Sequence, residues 1–346
     1  MNLDIALWLT QDAVVNGAVY ALLALALVLV YTVTRVIFVP QGEFISFAAL
    51  SLATLQAGQV PGTVYLLVGG GVLAAIVEGV AALRAAQPRR LGRIGLLYIG
   101  LPLCIAGAAV FAAARPDSLW LQMLVTLAIV TPFGPIVYRL AFQPLAGMSV
   151  LVLLIVAVAV HYLLTGMGLV FFGGEGLRSQ ALSDYSFQLG AMKVTAQSLW
   201  VIGSSAVLMV LLWLLFERSL YGKALRATAI NRIGARLSGI STTFAGSLSF
   251  TLAALIGAIA GILISPITTI YYDTGFLISL KGFVGAIIGG MVSYPLAAAG
   301  ALLVGMLESF SSFWWSAFKE SIVFILIIPV LLWRSLTTRH VEEEEE

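Results

Sequence analysis

The chain has 346 residues, of which 61% are hydrophobic and only 10% charged, with a formal net charge of +2. A soluble domain carries about 25% charged residues, so there is too little polar surface here to cover a water-soluble particle, and a polytopic membrane protein follows. The near-neutral balance says nothing about partners, and the single Cys104 excludes a disulfide framework and a CxxC metal or redox site.

The N-terminal "MNLDIALWLTQDA" carries Asp4 and Asp12 but no Lys or Arg, so it lacks the basic start of a cleavable signal peptide. Apolar runs follow near 13–34, 44–57, 61–83, 94–114, 118–138, 149–172, 196–216 and 243–268, then shorter ones near 276–290, 294–313 and 320–334. Most approach the roughly 20 residues that a helix needs to cross about 30 Å of hydrocarbon, whereas barrel strands alternate over about 10. The expected fold is all-α, with about 9–11 hydrophobic helices, the late runs of roughly 15 residues being short or re-entrant half-helices. No internal repeat, heptad pattern or separate soluble domain is evident, so residues 1–346 read as one transmembrane domain. Segments 173–195 and 217–242 read as loops, and 341–346 as a solvated acidic tail.

Basic residues orient the runs. Arg84, Arg89, Arg90 and Arg93 cluster between two of them; Arg218, Lys223, Arg226, Arg232 and Arg236 follow Phe216; Arg334 and Arg339 follow the last run. Under the positive-inside rule all three regions are cytoplasmic in one topology, which places the N-terminus and the loops 173–195 and 269–275 outside and the C-terminus inside.

Between the first two runs lies "RVIFVPQGEF", residues 35–44. Pro40 is unsuited to a helix interior and biases Val39 away from helical angles, Gly42 permits a sharp bend, and Glu43 falls in the first turn of the next helix, where the dipole favours a carboxylate. Two readings stand: a tight turn capped by its own acid, or a helix start recessed into the membrane that lines a solute path.

In "ERSLYGKALRATAINRIGARLSGIS", residues 217–241, Leu225, Ala229, Ile233 and Leu237 recur every four residues, a helical stripe flanked by Arg226, Arg232 and Arg236. Such a helix suits either an anionic lipid surface or a groove on another protein. Further on, Ala253, Gly257, Gly261 and Ser265 form a small-residue stripe, as do Ala297, Ala301, Gly305 and Ser309, and Gly285 with Gly289 makes a GxxxG; these read as helix-packing positions.

Intramembrane ionisable groups are few. Lys281 is expected to snorkel, Glu308 to be hydrated near the outer end of its run, Glu78 to play an interfacial structural role, and His161 to bond a neighbouring helix. No phosphate loop or HExxH occurs, and two histidines make no metal site of usual spacing. The chain is expected to be neither an enzyme nor a nucleotide hydrolase, with no cofactor or metal of its own and no nucleic-acid partner.

At this point the motifs resemble the permeases of branched-chain amino acid ABC importers. "GAVYALLALALVLVYTVTRVIFVPQGEF", residues 17–44, is similar to their first helix and following signature: it keeps Arg35, Gln41, Gly42 and Glu43 but carries Phe38, Val39 and Pro40 where the family usually has Asn-Phe-Ala. The 217–241 segment resembles the family's coupling loop through Tyr221, Gly222, Arg226, Ala227, Ala229, Ala235, Gly239 and Ile240, with Ile230 and Asn231 replacing the usual acidic or amide pair. Lys281, Gly289, Gly290, Ser293, Pro295, Gly300, Gly305, Glu308 and Ser309 match a third motif. The likeness covers about 17–57 and 136–335; residues 60–115 look like an extra helical hairpin.

The resemblance implies a single permease domain in a bacterial inner membrane, working with a second, homologous or identical permease, two cytoplasmic ATP-binding subunits and an extracytoplasmic solute-binding protein. ATP would be bound by the partner subunits only. Gln41, Gly42, Glu43, Lys281 and Glu308 become translocation-path candidates. Gly222, Arg226, Ala229, Asn231, Ala235, Gly239 and Ile240 become the ATPase-coupling helix. The rival is an ion-coupled secondary transporter or channel, which calls for buried acids or unwound cation sites in two corresponding halves.

Overall fold

The computed structural model describes residues 3–183, 185–189 and 192–337, so Arg339, His340 and the acidic tail 341–346 lie outside the described residues. In chain order the elements are α1 (Leu3–Thr34), α2 (Gln41–Gln56), α3 (Thr63–Arg84), α4 (Arg89–Ala113), α5 (Leu119–Leu145) and α6 (Val150–Phe172). There follow the strands β1 (Ser186–Leu189) and β2 (Met192–Thr195), then α7 (Ala196–Arg218), α8 (Leu220–Ile230), α9 (Arg232–Leu237), α10 (Thr242–Ile264), α11 (Thr274–Ile288), α12 (Tyr294–Trp314), α13 (Lys319–Ile325) and α14 (Ile327–Thr337). Among the described residues nine helices are long and apolar enough to cross a membrane: α1, α3 to α7, α10, α12 and the segment Ser316–Trp333. The chain is an all-α polytopic membrane protein, as its composition requires.

The α1 helix is apolar on every side and runs through the middle of the bundle, since a helix with no polar face is stable only when covered all round. At about 1.5 Å per residue its 32 residues reach about 48 Å, more than the hydrocarbon thickness. It stops at Arg35, whose N–H returns to Tyr31 O at 2.7 Å and whose φ is +61°, a left-handed capping position that glycine usually takes. The end of the bundle carrying Arg84–Arg93 and α8–α9 is the basic end: one cavity there is lined by Arg90, Arg93 and Thr243 together. At the opposite end Gln180 donates its N–H to Gln56 Oε1 at 2.8 Å, and Leu177 and Ile270 exchange backbone hydrogen bonds of 2.9 Å.

The two short helices differ in kind from the rest. Gln41 opens α2 beside Ala253, about halfway along α10, and from there α2 runs to the opposite end at Gln56. Thr274 opens α11 against the same start of α2, and α11 runs the other way, to Gly289 and the Tyr294 that packs on Phe216 at the basic end. Each half-helix leans on the long helix of the other pair: α2 meets Gly257 and Gly261 of α10, while Gly282 of α11 lies against Tyr20, Leu23 and Ala24 of α1. A long helix, a break and a half-helix therefore occur twice with opposite direction. This inverted relation lies in backbone direction and depth, which unrelated side chains can serve equally well, so it needs no repeat in the sequence.

Some expectations need correction. The 173–195 segment holds a two-stranded antiparallel hairpin, with Ser186 opposite Thr195 and Leu189 opposite Met192. The stripe at 225–237 is not one helix: Asn231 takes extended angles between α8 and α9, and its Oδ1 accepts from Gly234 N–H at 2.8 Å. Leu225 is buried whereas Ile233 and Leu237 are 73% and 85% exposed, so the stripe does not form one face. The last run is split at Leu326 into α13 and α14. The α3–α4 hairpin spans 60–115, with Gly71 letting its helix approach the carbonyl of Tyr98; Glu78 pairs with Arg139 of α5 near the basic end.

The glycines of the small-residue stripes sit at backbone-to-backbone crossings. Gly285 and Gly289 face Ala301 and Ala297 of α12, and Gly305 faces Ala13 and Gly17 of α1. In a lipid environment such close approach supplies the dispersion contacts that hydrophobic burial cannot.

Candidate functional site

The segment 36–40 leaves the basic end and climbs back into the bundle without helical structure. Non-helical backbone is tolerated at membrane depth only where protein covers it or a cavity receives it. Here it is covered: Val36 and Phe38 are buried, and the Phe38 ring lies 4.7, 5.6 and 5.9 Å from those of Phe250, Phe44 and Phe142. Pro40 supplies a preset φ of −69° and Glu43 N–H returns to Pro40 O at 3.2 Å, which starts α2 inside the protein. Of the two readings of the stretch, the geometry is that of a recessed helix start.

Gln41 Nε2 donates to Ala253 O at 2.9 Å, fixing α2 on α10. Gly42 and Gly275 press together so closely that a Cβ on either would lie 2.4 or 2.0 Å from the other's carbonyl oxygen. No side chain fits in either place. Ser46 Oγ accepts the Gly275 N–H at 2.9 Å and faces Tyr271 O at 3.3 Å, so a side chain of α2 satisfies an otherwise orphaned N–H at the start of α11. Two helix N-termini, each the positive end of its dipole, thus meet inside the membrane domain.

A carboxylate sits at that meeting point. Glu43 Oε1 is 2.6 Å from His161 Nδ1 and accepts from Thr165 Oγ1 at 3.2 Å, while the His161 ring stacks on Phe276 of α11 at 4.3 Å. Glu43 is 1% exposed, and its Oε2 has no hydrogen-bond partner among the described residues. Burying a carboxylate is expensive unless it is paired; a histidine, a hydroxyl and two dipole ends offset that cost.

The second cluster corrects two expectations. Lys281 does not snorkel and Glu308 is not hydrated: Lys281 Nζ lies 2.5 Å from Glu308 Oε1, and both are buried. Tyr20 OH donates to Glu308 Oε2 at 2.5 Å, and the ammonium lies 5.7 Å from the centre of the Tyr20 ring. The cluster ties α1, α11 and α12 together and contains no unpaired charge. Gln41, Gly42 and Glu43 therefore gather at one site, and Lys281 with Glu308 at another, five residues along α11 from Phe276. Sequence reasoning missed Tyr20, although a tyrosine in an apolar span announces that its hydroxyl has a partner.

At the basic end, Gly222 packs α8 against the Leu215 carbonyl and Phe216 of α7, and Ser219 Oγ caps α8 by accepting Gly222 N–H at 2.9 Å. Arg226 reaches Glu217 at 2.9 Å, Arg232 donates to Ala146 O at 3.1 Å, and Arg236 donates to Thr242 Oγ1 at 3.0 Å. Ala235 is buried, Ala229 and Ile240 are half-buried, and Gly239 has a φ of +80°. Ile230, Ile233 and Leu237 project apolar side chains outward at 79%, 73% and 85% exposure. A cavity of about 720 Å³ opens beside Ile230, lined also by Tyr31, Arg35, Trp213, Arg226 and Tyr294 among others.

Comparison with known proteins agrees with this architecture. The family model described as "Branched-chain amino acid transport system / permease component" matches residues 9–331. The high-affinity branched-chain amino acid transport system permease protein LivH of Salmonella typhimurium is 27% identical over 229 residues, covering 62% of this chain and 74% of that protein. BraD of Pseudomonas aeruginosa, described in the same words, is 28% identical over 247 residues, covering 68% of this chain and 80% of its own. LivH of Escherichia coli is 28% identical over 215 residues, with 60% and 69% covered. On a family match that spans nearly all of its length, the chain belongs to the permease components of branched-chain amino acid transport systems.

Proposed function

We propose that the chain is the membrane-spanning subunit of an ATP-binding-cassette importer in a bacterial inner membrane. Its solutes are branched-chain or other small amino acids, with urea, amides and small aromatic acids as the alternatives that relatives on this scaffold admit. It pairs with a second permease, two cytoplasmic ATP-binding subunits and an extracytoplasmic solute-binding protein. ATP stays on the partner subunits. The basic end faces the cytoplasm, with the N-terminus outside and the C-terminus inside. The observation that carries this reading is the family match over 9–331.

In the mechanism, the exposed Ile230, Ile233 and Leu237 dock on an ATP-binding subunit. Closure of that subunit displaces α8–α9, and the displacement passes to α7 through Gly222, to the end of α5 through Arg232 and to α10 through Arg236. Because α10 holds Gln41, its movement shifts the recessed start of α2. Gln41, Gly42, Glu43, Lys281 and Glu308 line or brace the path, and the paired helix N-termini favour a solute carboxylate as it passes. Each nucleotide state must contact one conformation better than the other, otherwise nothing moves.

The test uses Ile233→Glu with Leu237→Glu, two exposed positions that leave folding alone. Uptake in reconstituted vesicles should be lost, and the ATP-binding subunit should no longer co-purify; normal uptake would remove the coupling role. A second reading rests on the two buried acids, Glu43 and Glu308, one beside each half-helix: an ion-coupled carrier. Uptake by this chain alone that collapses with the ion gradient would establish it instead.

A further inference from the structure

The α3–α4 hairpin lies outside the motifs discussed so far, yet its basic end is built around a cavity. The cavity is about 660 Å³ and is bounded by α3, α4, α5 and the first turn of α10. Glu78, Gln87, Arg90, Arg93, Tyr98 and Arg139 line it. Glu78 is taken by Arg139, so its carboxylate is already neutralised. Arg90 and Arg93 have no carboxylate partner among the described residues, which leaves two guanidinium groups in excess around one space. Guanidinium forks match phosphate oxygens bidentately.

The surroundings decide which phosphate. The cavity sits where one span ends at Arg84 and the next begins at Arg89, the level at which a bilayer changes from hydrocarbon to headgroup. Leu97 of the lining itself is 47% exposed, and Leu91, which faces Gly79 across the hairpin, is 36% exposed. A soluble anion gains nothing from those side chains, whereas acyl chains lie against them. We propose that this cavity holds the phosphate headgroup of an anionic phospholipid on Arg90 and Arg93, its acyl chains running down the outer face of the hairpin. Basic pockets between spanning helices on the cytoplasmic side are suited to such headgroups. Thr243 belongs to the same lining and Arg236 bonds its neighbour Thr242, so the bound lipid joins the hairpin to the α9–α10 corner.

Native mass spectrometry tests this on the full chain, released from micelles containing equal phosphatidylglycerol and phosphatidylcholine. Wild-type protein should retain phosphatidylglycerol preferentially. In Arg90→Ala/Arg93→Ala retention should be about thirtyfold weaker, each basic residue near an anionic surface being worth about fivefold. Arg115→Ala, which removes a charge at the opposite end, controls for net charge and should retain the lipid. Both arginines are exposed, so an unchanged monodisperse elution profile establishes that the variant is folded. Equal retention of the two lipids, undiminished retention by the double variant, or displacement of the lipid by inorganic phosphate would each overturn the proposal.

Discussion

Glu43 and His161 touch across 118 residues of sequence, Oε1 to Nδ1 at 2.6 Å, and the contact joins the recessed start of α2 to the middle of α6. Removing one partner leaves a buried group uncompensated, which costs about 3–5 kcal/mol. His161→Leu should therefore lower the thermal midpoint in detergent markedly, while Glu43→Leu/His161→Leu should fall less than the two single losses added together. Additive losses would show that the pair is not coupled.

The Gly42–Gly275 contact leaves no room for a methyl group. Gly42→Ala should destabilise the protein by about 1–3 kcal/mol or prevent folding. Gly107→Ala, in α4 where a Cβ would meet nothing within 4 Å, should be neutral or slightly stabilising. Thermal melts of both variants decide it, and a neutral Gly42→Ala would mean that α2 and α11 separate easily.

The Lys281–Glu308–Tyr20 cluster gives a graded series. Tyr20→Phe removes one hydrogen bond to a charged group and should cost about 1.5–3 kcal/mol. Glu308→Leu leaves the ammonium buried alone and should cost more, about 3–5 kcal/mol, whereas Lys281→Met/Glu308→Leu should recover much of that loss. Denaturation of the four proteins in one detergent orders them.

Asn231→Ala removes the cap of α9, worth about 0.5–2 kcal/mol locally. Hydrogen exchange over residues 232–237 should accelerate while the global midpoint stays put. Unchanged exchange would show that Arg232 and Arg236 hold α9 without the cap.

The membrane character was legible from composition, and the break at Pro40-Gln41-Gly42-Glu43 was legible because proline and glycine leave a mark that no apolar neighbour hides. Its depth was not legible. Nothing in a hydropathy run says that Gln41 begins its helix beside Ala253, since a shallow turn and a recessed start use the same residues. The fates of Lys281 and Glu308 were misjudged for a related reason: a single charge in an apolar run reads as exposed until its partner, 27 residues away on the next helix, is known. The stripe at 225–237 misled because four-residue spacing survives an interruption by one extended residue, and Asn231 was seen as a departure from a motif rather than as a cap. The inverted pairing of α1–α2 with α10–α11 was invisible because no residue types need to repeat for it.

The exchange of half-helices also has a history in time. During biosynthesis α1 and α2 leave the ribosome first, yet the carbonyl that anchors Gln41 lies 212 residues downstream and the N–H that Ser46 accepts lies 229 downstream. For that interval the nascent chain holds a broken helix without its anchors, and Glu43 lacks even His161 until 118 further residues have emerged, so the early portion must wait, shielded by the insertion machinery or by water, until its late counterpart arrives to close the lock.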